Sequence, residues 1–344
     1  MYNVRCMVYD VYMAQATKTY PVLIIHYTSY IVHQKTGGFV IMDVANKWED
    51  YEIIDMADGE KLERWGDVIL IRPDPQIIWK ERTFPNRWNE AHAEYIRSTS
   101  GGGSWKYNKK IPSNWQIAYS VGAARSAQNA NKNLTFNIKP MGFKHTGLFP
   151  EQAVNWDWMI DKIRNNVGAG FHARPNVLNL FAYTGGTSAA CLYAGASVCH
   201  VDSSKGMTAW AKENMTASNL SERPIRYIVD DVVKFVSREI RRGSKYDAII
   251  MDPPSYGRGA SGEVWQFEDN ISDLVKLCTN LLSDNPLFFL INSYTTGISG
   301  EVLADILKIN LKKYKGTISA GEVGLPMSNS DLILPCGIYG KWET

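Results

Sequence analysis

Cysteine is scarce in this chain, at five in 344 residues, and the five fall at neither paired nor zinc-binding spacings. That argues against a disulfide-stapled secreted domain and for a reducing compartment, which we take to be the cytoplasm. The six histidines form no ligand cluster, so no metal is implied. A net charge of +2 is too small to announce nucleic-acid binding by itself. Long apolar runs are missing as well. Residues 20–32 are interrupted by His26, Thr28 and Ser29 and are too short for a membrane span. They also lack the basic start and small-residue cleavage site of a signal peptide.

One local absence stands out. Between residues 95 and 150 there is no Asp or Glu, while Arg97, Lys106, Lys109, Lys110, Arg125, Lys132, Lys139 and Lys144 contribute eight positive charges. Trp105, Tyr107, Trp115 and Tyr119 lie among them. Cations interleaved with aromatics suit a single-stranded or flipped-out nucleic acid, through phosphate contacts and base stacking. The same pattern also fits a solvated face whose aromatics turn into a core. Residues 98–104, STSGGGS, read as a flexible loop within this stretch.

What is present is concentrated further on. Residues 176–181 form a short apolar run of the kind buried on both faces of a parallel sheet. It ends in the turn Tyr183-Thr184-Gly185-Gly186, and an alanine-rich helix follows at 187–194. Glycines there allow close backbone approach to a ligand, and the helix start offers unpaired N–H groups. A second strand at 196–201 ends in Asp202, where a carboxylate is placed to accept both hydroxyl protons of a ribose. Asp202 could equally cap a helix over 203–214. A third strand, 226–229, ends at Asp230-Asp231, suited to an exocyclic amine such as that of adenine. A fourth, 246–251, ends at Asp252-Pro253-Pro254. Four strands with polar ends describe one crevice on the edge of a doubly wound sheet. No G-x-x-x-x-G-K-[ST] loop occurs, and the turn at 181–186 offers only adjacent glycines instead of G-x-G-x-x-G. A nucleoside ligand without phosphates fits such a turn better than a nucleotide.

These residues resemble the successive motifs of class I S-adenosylmethionine-dependent methyltransferases. They are most similar to the ribosomal RNA large-subunit methyltransferase I-like group, on VLNLFAYTGG (177–186), TGLFPEQ (146–152), DPPSYGRG (252–259) and GEVWQFED (262–269). The resemblance covers residues 43–344. It implies a Rossmann-like α/β fold with a mostly parallel seven-stranded sheet and S-adenosyl-L-methionine as cofactor. Asn179, Phe181, Tyr183, Thr184, Gly185 and Gly186 would pass under its methionine and ribose, with Asp202 and Ser203 at the ribose and Asp231 at the adenine. Asp230 is the weaker candidate for that last contact. Gln152 or Trp156 would line the pocket, unless the 146–152 segment only joins domains.

The chemistry is expected at Asp252, Pro253, Pro254 and Tyr256. Two prolines give the Asp252 side chain and the Pro253 carbonyl one rigid direction, suited to orienting an amine as it gains charge. Ser255 displaces the base-stacking aromatic of related motifs to Tyr256. Relatives that methylate carbon 5 of cytosine carry a cysteine on the following strand, whereas residues 292–296 here read NSYTT. Nitrogen is therefore favoured over carbon. Cys191 and Cys199 should pack inside the layers. The glycine-rich loop 257–265 either closes over substrate, with Arg258 on a phosphate and Trp265 on a base, or is a connector.

The expected division is an extension at 1–41 that is either not native or disordered, a small β-rich domain at 42–145 in contact with RNA, and a cofactor-binding domain at 146–344. In the small domain, 51–55 and 67–72 are read as strands, separated by Asp58-Gly59, and 134–143 as extended. The expected function is methylation of an RNA base, in ribosomal RNA first of all; the alternatives are a protein or small-molecule acceptor, or binding without turnover. A chain starting at Met42 is expected to fold and bind the cofactor, and loss of either would refute the reading of residues 1–41.

Overall fold

The computed structural model describes residues 42–98, 102–122, 133–166, 174–258 and 264–344. The leader 1–41, residues 99–101 of the glycine loop, Arg125 and Lys132 lie outside the described residues.

The described residues begin with a run of strands: β1 (Met42–Val44), β2 (Tyr51–Ala57), β3 (Glu60–Trp65), β4 (Val68–Pro73), β5 (Ala93–Arg97), β6 (Gly103–Tyr107), β7 (Trp115–Ser120) and β8 (Asn133–Ile138). Strands β2 to β6 form one sheet in sequence order, and β7 and β8 pair as an antiparallel hairpin. The turn between β2 and β3 is Asp58-Gly59, with φ of 52° and 80°. Two successive left-handed residues match the twist of a tight hairpin, as the sequence signal suggested. Strand β3 was not expected. Its Lys61 and Glu63 are buried charges, so its apolar pattern is broken.

Helices and strands then alternate: α1 (Ala153–Asn166), β9 (Asn176–Leu180), α2 (Gly186–Tyr193), β10 (Ser197–Asp202), α3 (Lys205–Ala217), β11 (Ile225–Val229), α4 (Val232–Arg241) and β12 (Ala248–Met251). A short hairpin, β13 (Tyr256–Arg258) and β14 (Val264–Gln266), leads into α5 (Phe267–Cys278), β15 (Phe288–Ser293), α6 (Gly300–Asn310), β16 (Thr317–Pro326) and β17 (Ile333–Glu343).

The large sheet runs β1-β16-β17-β15-β12-β9-β10-β11. Strands β15, β12, β9, β10 and β11 are parallel to one another, and β17 is antiparallel to β15 and β16. The expected mostly parallel α/β sheet is therefore present, with eight strands in place of seven. The addition is β1, which pairs parallel with β16 at the edge. Only three residues long, it carries too little pattern to be read from sequence. Chain order reverses between β9 and β12, and a crevice opens there at the carboxyl ends of the strands.

Alternate residues of the central strands feed two cores, because successive side chains point to opposite faces. Val177, Ala248, Ile250, Phe288 and Leu290 pack on one face with α1, α2 and residues of β2 to β8, including Trp65, Ile117 and Phe136. Leu178, Leu180, Ile249, Met251, Phe289 and Ile291 pack on the other with α4, α5 and α6. The amino-terminal strands thus share a core with the large sheet, and the described residues fall in one compact unit. Cys191 and Cys199 are buried in these layers.

Gly147 fixes how the segment before α1 meets α3. Its φ is +102°, and an added Cβ would lie 2.2 Å from the Trp210 ring. Gly147→Ala should therefore cost more than about 2 kcal/mol through overpacking and strain. Gly243→Ala, with φ +70° and open space around it, should cost only about 1 kcal/mol. Urea unfolding of both variants checks this, and equal losses would refute it.

Candidate active site

The turn after β9 is strained and firmly held. Phe181 and Tyr183 sit in left-handed backbone with φ of 54° and 50°, and Gly185 follows at 85°. Such conformations cost about 1–3 kcal/mol at non-glycine residues and persist only where surroundings enforce them. Here the Tyr183 amide donates to Asp202 Oδ2 at 2.8 Å, and the Ala182 amide to the Val201 carbonyl at 3.0 Å. Thr184 Oγ1 donates to the Gly147 carbonyl, and Asn214 Nδ2 to the Thr184 carbonyl at 2.8 Å. Asp202 Oδ1 accepts from the Ser204 amide at 2.8 Å. The cap of α3 is Ser204, so Asp202 is not the helix cap; it is pinned at the strand tip by one amide on each oxygen.

The glycines of the turn serve packing. A Cβ at Gly186 would lie 2.8 Å from the Trp156 ring, and one at Gly185 would lie 3.0 Å from Ala211 Cβ. Their smallness lets α1 and α3 approach the turn. Asn179 is likewise occupied within the fold, donating to Ser188 Oγ at 2.9 Å, and Ser188 Oγ lies 3.0 Å from His200 Nδ1.

Asp252 follows β12. Its Oδ1 is buried and has no hydrogen-bond partner among the described residues. Burial, and then the nearby Glu151 carboxylate, push its pKa up from 3.8 to about 7. Pro253 is buried behind it. The Pro254 carbonyl accepts from Trp265 Nε1 at 2.7 Å, and the Trp265 ring packs 5.4 Å from Phe181. Trp265 therefore braces the Asp-Pro-Pro step against the turn, and its ring is not a free stacking surface.

A cleft of about 540 Å³ runs from Asp202 and Ser203 past Phe181 and Tyr183 to Asp252, Pro253, Pro254 and Ser255. A recess of about 40 Å³ continues inward beside Gln152, Trp156, Asn179, Thr184, Gly185 and Gly186. Most of the residues picked from sequence thus meet in one place. Two do not. Tyr256 is 53% exposed and lines neither space, because it begins the β13 hairpin, which turns away. Asp231 caps α4, accepting from the Lys234 amide at 2.9 Å, and it too lies outside both linings. Asp230 pairs with Arg238. Residues 259–263 and the Arg258 side chain fall outside the described residues.

Several residues in the cleft were not picked from sequence. Tyr294 lies in the cysteine-free stretch 292–296; its hydroxyl donates to Glu151 Oε1 at 3.0 Å and accepts from Gln152 Nε2 at 2.8 Å. Gln152 Oε1 accepts from Asn155 at 2.9 Å and Asn292 at 3.1 Å. Tyr294 and Asn292 stand about 140 positions from Glu151 and Gln152 in the chain, so no local motif announces them. Burial raises the pKa of Glu151 above its ordinary value. Cys336 also lines the cleft, its thiol pushed well up by burial and then by Glu151. Lys61, Arg72, Lys144 and His145 form the opposite wall. Of the aromatics in the acid-free stretch, Tyr119 is buried and Trp105 and Trp115 turn their Nε1 groups onto the carbonyls of Met141 and Trp65. Tyr107 is exposed, at 56%, and so is Phe143, at 42%.

A family model for S-adenosylmethionine-dependent methyltransferases matches residues 122–301. This chain belongs to that family. Its cofactor is S-adenosylmethionine. A crystallised S-adenosylmethionine-dependent methyltransferase from Agrobacterium tumefaciens is 31% identical, with a TM-score of 0.78 over 92% of this chain and 99% of that one. Among curated relatives, the ribosomal RNA large subunit methyltransferase K/L of Shewanella frigidimarina is 30% identical over 58% of this chain and 25% of its own length. The ribosomal RNA large subunit methyltransferase I of Tolumonas auensis is 33% identical over 46% of this chain and 35% of its own length. The chain thus spans about a quarter to a third of these two relatives. No helix among the described residues is long and apolar enough to cross a membrane.

Asp252 carries a consequence for stability. With a folded-state pKa of about 7 against 3.8 unfolded, the folded methyltransferase binds the extra proton between these values, so stability falls as pH rises through that window. Asp252→Asn removes the charge without changing shape. It should raise the melting temperature clearly at pH 8 and hardly at pH 5, and equal shifts at both would refute the assignment.

Proposed function

We propose that this chain transfers the methyl group of S-adenosylmethionine to a nitrogen of an RNA base, in ribosomal RNA first of all, and that it acts in the cytoplasm. The observation that carries the proposal is Asp252: a buried carboxylate oxygen without a partner, on a proline-stiffened step, facing a cleft large enough for a base. A purely structural turn has no need of an unsatisfied acceptor. The names of the ribosomal RNA methyltransferases to which the chain is similar support RNA as the acceptor.

The residues fit the cofactor. Asp202 holds its carboxylate at the strand tip by two backbone amides, which leaves further lone pairs for the two ribose hydroxyls. Ser203 lies beside it in the cleft, and Gln152, Asn179 and the turn from Phe181 to Gly186 wall the inner recess toward Asp252. Asp231 would reach an adenine amine from its place at the start of α4. When bound, the cofactor supplies a methyl group already activated on a sulfonium.

The chain's own contribution is orientation and electrostatics. Asp252 Oδ1 and the Pro253 carbonyl would accept hydrogen bonds from the target amine and stabilise the positive charge that grows on it. A carboxylate with pKa near 7 can also take the released proton at neutral pH. Phe149 and Tyr294, with rings 5.4 Å apart beside the cleft, would hold the base. Carbon methylation needs a thiolate, and the one thiol lining the cleft among the described residues, Cys336, is held protonated by burial and by Glu151.

Nucleoside mass spectrometry of ribosomal RNA, with and without the protein, tests this reading. One N-methylated nucleoside should disappear without it. Restoration should fail with Asp252→Ala, which should bind the cofactor nearly unchanged, and should succeed with Cys336→Ala. A lost 5-methylcytosine that Cys336→Ala cannot restore would assign carbon chemistry. No change in any RNA nucleoside would transfer the acceptor to protein or a small molecule.

A further inference from the structure

Part of the cleft that Asp252 lines comes from the amino-terminal strands and the segment after β8, and it carries more positive than negative charge. Arg72 on β4 grips Glu63, with Nε at 2.6 Å from Oε2 and Nη2 at 2.9 Å from Oε1. Lys61 on β3 stands 3.4 Å from Glu63 Oε1 and 3.3 Å from Asp74 Oδ2. Glu63 is fully buried; burial pushes its pKa up, but Arg72 and Lys61 outweigh it and hold it at about 2. Two cations are thus matched by two carboxylates.

Lys144 is the third cation. It follows β8, is half-buried, lines the same cleft, and makes no ion pair with a carboxylate among the described residues. Its carbonyl is held by Arg72 Nη1 at 3.2 Å, which fixes its backbone against the β4 side chain. Its ammonium is therefore the unmatched charge of the wall. Burial lowers its pKa; Asp74 pulls it up, and the neighbouring Lys61, Arg72 and Arg97 add to the lowering. His145 beside it is held neutral, its pKa lowered to about 3 by burial and then by Arg72, Lys144 and Lys61. The remaining carboxylate of this part of the cleft, Glu151, is engaged by the Tyr294 hydroxyl.

A partly desolvated ammonium without a counter-ion is unfavourable, and an anion brought by a ligand offsets that cost. We propose that Lys144, backed by Lys61 and Arg72 and with His145 as a neutral donor, seats a backbone phosphate of the RNA strand next to the base presented to Asp252-Pro253-Pro254. The inference rests on the RNA reading above and adds a location to it. It gives the amino-terminal strands a part in acceptor binding at the cleft itself, where the expectation from sequence had been a stacking surface of exposed aromatics. The other anion that could reach this wall is the carboxylate of the cofactor, and the two sources separate experimentally.

The probe is a mixed-sequence single-stranded oligoribonucleotide, followed by fluorescence anisotropy at several KCl concentrations with the full chain. Cofactor affinity is measured in parallel by calorimetry. Lys144→Ala should weaken RNA binding about tenfold and reduce the slope of log affinity against log salt by about 0.7, the loss of one phosphate contact. Lys144→Arg should restore most of both, and S-adenosylmethionine affinity should stay unchanged in either variant. Lys109→Ala, on the exposed end of the β6 side, should change affinity much less. Melting curves identify any variant that fails to fold, in which case Lys144→Gln replaces Lys144→Ala. RNA affinity and salt slope unchanged by loss of Lys144 would overturn the inference alone. A loss falling on cofactor affinity would overturn it in favour of the cofactor carboxylate. Unaltered protein that binds no RNA would overturn the RNA reading and this inference with it.

Discussion

Everything at the site depends on the parallel run of β11, β10, β9 and β12. Parallel strands deliver all their carboxyl ends to one edge, and the reversal of order between β9 and β12 keeps two helices from closing that edge. Asp202 and Asp252 face one cleft for this reason, although 50 positions separate them in the chain. The geometry then tightens through a single carboxylate. Asp202 accepts the Tyr183 amide on one oxygen and the Ser204 amide on the other, so the tip of β10 fixes both the strained turn after β9 and the entry to α3. The left-handed Phe181 and Tyr183 are tolerable only with such anchoring, and Trp265 on Phe181 extends it to the Pro254 carbonyl. The turn after β9 and the Asp252-Pro253-Pro254 step are thus one mechanical unit.

The methyltransferase half was legible because its signals are local. Strands buried on both faces read as continuous apolar runs, and the polar residue ending each run marks the edge of the sheet. Asp202, Asp252 and the turn from Phe181 to Gly186 were all recognised this way. Gln152 was picked as well, but Glu151, Asn292 and Tyr294 around it were not, since they converge through hydrogen bonds spanning about 140 positions. Strand β3 escaped notice for a different reason. A half-buried strand is recognised by alternation of apolar and polar residues, whereas Lys61 and Glu63 are buried as charges because Arg72 and Asp74 meet them. Sequence pattern prices a charge as exposed; ion pairing across strands reverses that. The glycines Gly185 and Gly186 were read as special for the approach of a ligand; a second demand for smallness comes from Trp156 and Ala211, which lie elsewhere in the sequence.

The cleft is electrically divided. On the side of the large sheet stand Asp252 and Glu151, two carboxyl groups whose pKa values burial raises. On the side of the amino-terminal strands stand Lys61, Arg72 and Lys144. Opposite charges at this range would simply pair if they could meet, and the cleft would close on itself. They do not, because Glu63 and Asp74 occupy Lys61 and Arg72, while Tyr294 and Gln152 occupy Glu151. Each wall is therefore held open by its own internal partners, and what remains unspent on the two sides is one carboxylate oxygen of Asp252 and one ammonium of Lys144. Leaving buried polar atoms unsatisfied costs stability, on the order of 1–3 kcal/mol for each group. A nucleotide complements that residue of charge, with an amine for the carboxylate and a phosphate for the ammonium, and a protein or small-molecule acceptor would have to supply the same pair at the same separation. The shared core beneath β2 to β8 and the large sheet keeps that separation fixed, since the two walls rest on one packed layer and cannot shift independently without opening it.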